Sequence, residues 1–259
     1  MKLEDLPAKY AKGECQAVRD VLKTRIDANS SSEDTAIAIS VADEFVARSV
    51  ENLADLHRAL IAVDYQFSDP ENSLVLNSSP DDRAVTDFEF RMGKIPILAA
   101  RWYRKIKSVD FSQAYEQLTD RTSPLAGLGW NALLVFQSLE KALEHWEGHC
   151  RECEEDDRHR QNAGYPVSGP PTPALLTGGC ASNNDCKGFD LPSFRFDDVL
   201  YNDGGGDQYF GDEITEAFQC RGFPVLSAQE RVLKIVRLLY GEPNIDFLTG
   251  KLPTSLRNV

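Results

Sequence analysis

The residues best suited to chemistry in this sequence are imidazoles and thiols that lie close together on the chain. They are His145, His149, Cys150, Cys153 and His159. Thiolates and imidazoles are the ligands that zinc prefers. On a helix, residues four positions apart share one face, so the rings of His145 and His149 would lie side by side. This stretch is therefore a candidate metal site.

The same helix geometry argues against convergence of these ligands. Cys150 is rotated by about 100° from His149, so the first four side chains do not meet at one ion unless the helix ends there. The acidic run at residues 154–157 is typical of a solvated helix end. Structural zinc sites usually have two separated ligand pairs, and Cys180 and Cys186 could supply the second. We expect no metal and no cofactor, with zinc binding by His145, His149, Cys150 and Cys153 as an alternative.

A second candidate is the glycine-rich segment Asn-Asp-Gly-Gly-Gly-Asp at residues 202–207. Glycine-rich loops beside carboxylates can hold a cation or cradle a phosphate. The segment lacks the Lys-Ser/Thr pair of a P-loop and the ligand spacing of an EF-hand. Because glycine permits backbone conformations with positive φ, a turn between two strands explains the same residues. We predict a turn here.

A third candidate is a basic cluster around two aromatic residues. The cations are Arg91, Lys94, Arg101, Arg104, Lys105 and Lys107, and the aromatic residues are Trp102 and Tyr103. Such a cluster could meet phosphate or an acidic partner. The helical spacing of Leu98, Trp102 and Ile106 instead indicates that the cations form the solvated face of an amphipathic helix. We prefer this second interpretation.

No G-x-S-x-G or H-E-x-x-H motif occurs, so we predict a protein without catalytic activity.

The elements that position these residues change along the chain. Apolar residues at spacings of three and four predict helices over residues 14–26 and 35–63. Alternation predicts a strand over residues 85–92, and a proline near the first turn predicts a helix from Ile95. Ser138 is expected to cap a helix that reaches about Glu155. Further strands are predicted around residues 109–111, 133–136, 194–196 and 199–201, and a last helix at residues 227–240.

This order of elements predicts an α+β protein. We expect a helical N-terminal region at residues 1–84 packed on an α+β domain at residues 85–259. A polar loop rich in proline and glycine is predicted inside the second segment, at about residues 158–173.

The net charge further limits the classes of partner that the protein can bind. Asp and Glu total 41 against 28 Lys and Arg, so the formal net charge is −13. An acidic protein repels phosphate backbones and attracts basic partners, although acidity can also serve solubility alone. No apolar leader follows Met1, and no run reaches the roughly 18 apolar residues of a membrane span. We expect a cytoplasmic protein with free thiols that binds neither nucleic acid nor membrane.

Residues 91–111, RMGKIPILAARWYRKIKSVDF, resemble the core motif of the SUKH superfamily. That superfamily includes bacterial toxin-immunity proteins and fungal cell-wall regulators. The pieces NALLVFQSLEKALE and DDVLYNDGGGDQYFGDEI follow in the order that the family shows, and the resemblance extends over about residues 87–226.

The resemblance implies an α+β fold with a mixed, strongly bent sheet of SUKH type, and binding of proteins without catalysis. We predict an immunity protein whose acidic surface docks a basic toxin of nuclease or deaminase type. An intracellular regulatory or scaffold protein with the same domain is the alternative. The predicted contacts lie on loops of the sheet domain, where aromatic residues flanked by carboxylates suit a binding hot spot. They are Asp203, Asp207, Tyr209, Asp212 and Glu213.

Overall fold

The structure is a computed structural model that describes the chain in several parts. They are residues 2–62, 67–111, 134–167, 173–178, 187–200, 208–219 and 259. The predicted helix at residues 227–240 and the glycine-rich segment at residues 202–207 lie outside these parts.

Helices make up most of the described residues. In chain order, after a single 3-10 turn at Leu3–Asp5, they are α1 (Leu6–Ala11), α2 (Cys15–Arg25), α3 (Ser32–Ile61), α4 (Asp82–Met92), α5 (Ile97–Lys105), α6 (Leu139–Asn162) and α7 (Phe210–Gln219). The helices predicted from apolar spacing at residues 14–26 and 35–63 are confirmed as α2 and α3, and the helix predicted after Ile95 is confirmed as α5.

The described strands are short and form three separate sheets. The first sheet contains β1 (Leu74–Leu76), β2 (Ile106–Asp110) and β3 (Val135–Phe136) in that order, the second pairs β4 (Ala174–Gly178) with β5 (Lys187–Asp190), and the third pairs β6 (Val199–Leu200) with β7 (Gln208–Tyr209). Every pairing among these strands is antiparallel. The protein is therefore α+β, as predicted, whereas the mixed, bent sheet of SUKH type stays a prediction.

Helix α3 shows how local sequence sets the helical layer. Ser31 caps it, because its Oγ accepts the backbone N–H of Asp34 at 3.1 Å. Such a cap satisfies one of the N–H groups that the first turn leaves without an intrahelical partner. One face of the helix is apolar and packs against α5. Leu53, Leu56 and Leu60, whose spacing predicts this helix, are buried, and Val63, the fourth residue of that stripe, lies outside the described residues.

Trp102 on α5 joins the helical layer to the C-terminal part of the chain. Its side chain is fully buried. The ring meets Phe136 of β3 and Phe210 of α7 edge-on, with centroid distances of 5.4 and 5.7 Å. Since α5 also packs on α3, one buried apolar cluster contains residues from both of the segments that the sequence suggested.

The predicted strand at residues 85–92 is wrong, because these residues lie in α4. Asp81 caps this helix by accepting a first-turn N–H at 3.0 Å. The apparent alternation depended on Phe90, which is 90% exposed and does not belong to the core. The buried side chains recur instead at helical spacings: Val85, Phe88 and Met92.

The predicted strand at residues 194–196 is also wrong. This segment forms bends, and its backbone accepts hydrogen bonds instead of joining a sheet. The carbonyl groups of Arg195 and Phe196 accept the N–H groups of Ile97 and Leu98 at 3.0 and 2.9 Å. Helix α5 lacks a side-chain cap, so this segment satisfies its first N–H groups.

The predicted cap at Ser138 is confirmed, since its Oγ accepts the N–H of Lys141 at 3.3 Å. Helix α6 then runs to Asn162, seven residues beyond the predicted end at Glu155. The polar segment expected at residues 158–173 therefore begins inside a helix, and of its remainder the structure describes residues 163–167 and 173, which lie outside any helix or strand.

Candidate functional site

Helix α6 has two halves with different surroundings. The first half packs against α4 and β4 and ends its buried face at Trp146. In residues 151–162 every side chain is exposed except Cys153 and Asp157, which are half-buried. We call residues 151–162 the acidic half-helix, after its five carboxylates. They are Glu152, Glu154, Glu155, Asp156 and Asp157.

A helix that is polar on all sides needs support from pairs along its own surface. An acidic residue four positions before an arginine gives such support, at about 0.2–0.5 kcal/mol per pair. This spacing occurs three times near the acidic half-helix: Glu147 with Arg151, Glu154 with Arg158, and Asp156 with Arg160. The sequence can therefore sustain a helix here without burying it.

The candidate metal ligands also lie on α6. Cys153 Sγ lies 3.6 Å from His149 Nε2. Burial and the nearby Cys153 and Glu154 raise the pKa of the Cys150 thiol. Within the described parts of the chain, no three His, Cys, Asp or Glu residues come together as a metal-binding group. Cys180 and Cys186 lie outside those parts.

The predicted partner-binding residues fall into two groups, one outside and one inside the described parts of the chain. Asp203 and Asp207 lie outside the described residues, whereas Tyr209, Asp212 and Glu213 lie together where β7 leads into α7. The Asp212 carboxylate faces α2, and Lys23 Nζ donates to its Oδ2 at 2.6 Å. The same Lys23 Nζ lies 4.2 Å from the centre of the Tyr209 ring.

Asp212 belongs to a wider polar cluster with α2. The Nε2 of Gln16 donates to Asp212 Oδ1 at 3.2 Å, and the fully buried Arg19 approaches the same oxygen at 3.4 Å. Arg19 also donates to the carbonyl oxygen of Val259. Burial raises the pKa of Asp212, but the hydrogen bond from Lys23 and the nearby positive charges outweigh it and hold the pKa below its ordinary value.

Asp197, which the sequence did not single out, lies fully buried beneath the start of α7. Its Oδ2 accepts the N–H of Gly211 at 3.1 Å, and its Oδ1 accepts the N–H of Asp198 at 2.9 Å. A Cβ at position 211 would lie 2.9 Å from Asp197 Oδ2 and 2.8 Å from Leu98 Cδ2, so the close approach requires glycine. Burial raises the pKa of Asp197 to about 7, although the Lys23 charge and these hydrogen bonds lower it.

This raised pKa predicts a pH dependence of stability. Folded Asp197 takes up a proton near pH 7, whereas in an unfolded chain an Asp does so only near about pH 4. Between those values the folded state holds the extra proton, so this residue makes the unfolding free energy fall as pH rises. We expect Asp197→Asn to flatten the dependence of the melting temperature on pH between about 5 and 8. Asp190→Asn, at an exposed position, is the control and should leave the curve parallel to that of the unmodified protein.

His57 and Ser73 form a pair that the sequence also did not reveal. His57 Nε2 lies 2.9 Å from Ser73 Oγ, and that hydroxyl also donates to the carbonyl of Pro70 at 3.1 Å. The His57 ring stacks on Phe111 at 5.9 Å, and burial lowers the pKa of this histidine. A nucleophilic serine must reach its substrate, and Ser73 is fully buried. The pair therefore serves packing.

The basic cluster proves to be largely bonded within the protein. Arg101 makes two hydrogen bonds to the Asp43 carboxylate, with its Nε at 2.5 Å and an NH2 group at 2.9 Å. Ion pairs also hold Arg91 to Glu147, Lys94 to Glu89 and Lys107 to Glu140. These contacts favour the interpretation as the solvated face of a helix over a phosphate site.

Comparison with known proteins adds no relative. The chain matches no protein-family model, no curated protein and no solved structure. The resemblance to the SUKH superfamily therefore stays a prediction. Among the described helices, none combines the length and the apolar character needed to cross a membrane.

Proposed function

We propose that this protein works by binding another protein without catalysing a reaction, and that the partner is a basic toxin domain which it neutralises. The acidic half-helix carries this proposal. It displays exposed carboxylates on its helix surface, in a chain with a net charge of −13. Such a surface steers a basic partner during encounter and fixes its orientation.

The start of α7 suits this role less well than the sequence suggested. Asp212 is only 27% exposed at its side chain and already accepts from Lys23. A partner would have to compete with that internal ion pair. Glu152 and Glu155 are exposed on the acidic half-helix and have no arginine four positions further along the chain, so they can meet an incoming cation with less such competition. We therefore place the main contact on α6, with Asp203, Asp207, Tyr209, Asp212 and Glu213 as a secondary surface.

The polar groups of the interior support a function without catalysis. Asp197 and Ser73, which have the chemistry of a general base and a nucleophile, are fully buried. Catalytic groups must come within hydrogen-bond reach of the reacting atoms. Their contacts within the fold, to the N–H of Gly211 and to His57, account for both side chains. The SUKH resemblance supports the immunity role in particular.

The test is neutralisation of a toxin by co-expression. The chain is expressed together with the basic nuclease or deaminase domain encoded by the adjoining gene, and we expect growth to be restored. Titration calorimetry should then show a complex with submicromolar affinity. In the variant Glu152→Gln/Glu155→Gln the affinity should fall about tenfold at low salt, and the difference should shrink as salt screens the charges.

The matched control removes the same charge elsewhere. Glu4→Gln/Asp5→Asn neutralises two exposed carboxylates near the N-terminus and should leave the affinity within about twofold, because scattered surface charges far from an interface contribute little. Absence of binding at micromolar concentration would contradict the proposed function. Equal losses in both variants would show that general charge, and not the acidic half-helix, governs the encounter.

A further inference from the structure

We propose that His149 and Cys153 form a two-point binding site for a thiophilic divalent cation such as zinc. This inference goes beyond the binding of a protein partner and rests on the geometry of α6 alone. The two residues are one helical turn apart, with His149 exposed and Cys153 half-buried. Both side chains can therefore be reached by an ion from solvent.

The separation of the two donor atoms matches that required by a metal. A tetrahedral zinc ion with a Zn–S distance of about 2.3 Å and a Zn–N distance of about 2.05 Å holds its sulfur and nitrogen about 3.5 Å apart. Cys153 Sγ and His149 Nε2 lie 3.6 Å apart. The helix thus presents the pair at the spacing of two ligands, so an ion can bind without a change in the backbone.

The same geometry discriminates between neighbouring residues of the same type. Cys150 follows His149 directly, so its side chain leaves the helix about 100° away from that of His149. His145 lies on the same face but two turns before Cys153, about 12 Å along the helix axis, so it cannot join that thiol at one ion. The site is therefore specific to positions 149 and 153.

Binding exchanges a proton for the cation. When zinc binds, the S–H bond breaks, the proton passes to solvent, and the thiolate and the neutral imidazole each donate an electron pair to the metal. Water fills the remaining coordination positions, because no third protein ligand converges here within the described part of the chain.

The surroundings favour a dication. Glu147, Glu152 and Glu154 lie within five residues of the pair on the same helix, and their field raises the local concentration of cations. Imidazole and thiolate donors select zinc and its softer relatives over magnesium or calcium, which take oxygen ligands. The site should therefore respond to zinc and cobalt at concentrations where magnesium has no effect.

The experiment is a titration of the full reduced chain with Co²⁺, followed by displacement with Zn²⁺. Because other cysteines of the chain can also bind metal, the readout is the difference between variants. The unmodified protein should show thiolate-to-cobalt charge-transfer absorption. In Cys153→Ser that absorption should fall and the bound zinc should drop by about one equivalent, since the thiolate is the strongest donor of the pair. His149→Gln should weaken binding about tenfold or more, the cost of losing one ligand.

The matched controls are Cys150→Ser and His145→Gln, which remove the same chemical groups three residues before Cys153 and four residues before His149. Both should retain the absorption and the affinity within about twofold, because neither residue reaches the ion in this geometry. Circular dichroism checks that all four variants keep their helix content. An unchanged cobalt spectrum in Cys153→Ser, or a loss as large in Cys150→Ser, would overturn the proposed site. Failure of toxin neutralisation would leave this result untouched, so the two proposals are tested separately.

Discussion

Replacing Trp102 with alanine should lower the free energy of unfolding by about 3–5 kcal/mol, which is the usual cost of removing a large aromatic side chain from a core. The indole is fully buried and packs against both Phe136 and Phe210. Its removal leaves a cavity that neighbours from two different elements, β3 and α7, would have to fill. Those neighbours are held by their own helices and strands, so little relaxation is expected.

Urea denaturation followed by circular dichroism measures this loss. Phe90→Ala is the control, because Phe90 is also a large aromatic residue but is 90% exposed, and surface substitutions usually change stability by less than about 0.5 kcal/mol. Similar losses in the two variants would contradict the core described here. Because the buried cluster contains residues from both predicted segments, the unmodified protein should unfold in one transition.

Much of the helical layer could be predicted because its signals are local. The Ser31 and Ser138 caps and the stripe of Leu53, Leu56 and Leu60 each lie within a few residues of the element that they define. The error at residues 85–92 has a physical reason. An exposed apolar side chain, Phe90, completed a pattern of alternation, and an extended pattern of this length cannot be told from a short helix by periodicity alone.

The polar cluster beneath α7 could not be predicted in the same way. Lys23 on α2 lies more than a hundred and seventy residues before Asp197 and before Asp212 on α7. No spacing rule connects them, and the sequence marked Asp212 as a surface contact because a carboxylate beside Tyr209 resembles a binding hot spot. Only the fold brings Lys23 into contact with Asp212 and with Tyr209. Buried polar groups of this kind are set by tertiary structure, which short motifs do not encode.

Lys23→Met should cost about 2–4 kcal/mol at pH 8, because removing one partner of a largely buried ion pair leaves the Asp212 carboxylate with a single cation, Arg19 at 3.4 Å. The Lys23 side chain is 6% exposed and its Nζ donates to Asp212 at 2.6 Å. Methionine keeps most of the apolar stem and removes the charge, so packing changes little. This expected loss of unfolding free energy is smaller than the largest losses seen when a buried ion pair is broken, because the Asp212 side chain is still 27% exposed.

The destabilisation by Lys23→Met is also expected to be smaller at lower pH. This pH dependence distinguishes the effect of the lost charge from the effect of altered packing. The Lys23 charge lowers the pKa of Asp197, so its removal should raise that pKa further above about 7. At pH 5 Asp197 is then protonated, so only Asp212 is affected by the loss of the Lys23 charge, while Arg19 still lies 3.4 Å from it. Thermal unfolding at pH 5 and 8 should therefore show a smaller destabilisation at pH 5. The double variant Lys23→Met/Asp212→Asn should recover part of the lost stability, since it also removes the Asp212 charge that Lys23 neutralises.

Lys9→Met is the matched control. Lys9 Nζ lies 3.7 Å from Glu14, and the Lys9 side chain is 36% exposed. Such surface pairs contribute less than about 1 kcal/mol. A Lys23→Met variant no less stable than Lys9→Met would show that the start of α7 does not depend on this ion pair, and would return Asp212 to the surface available for a partner.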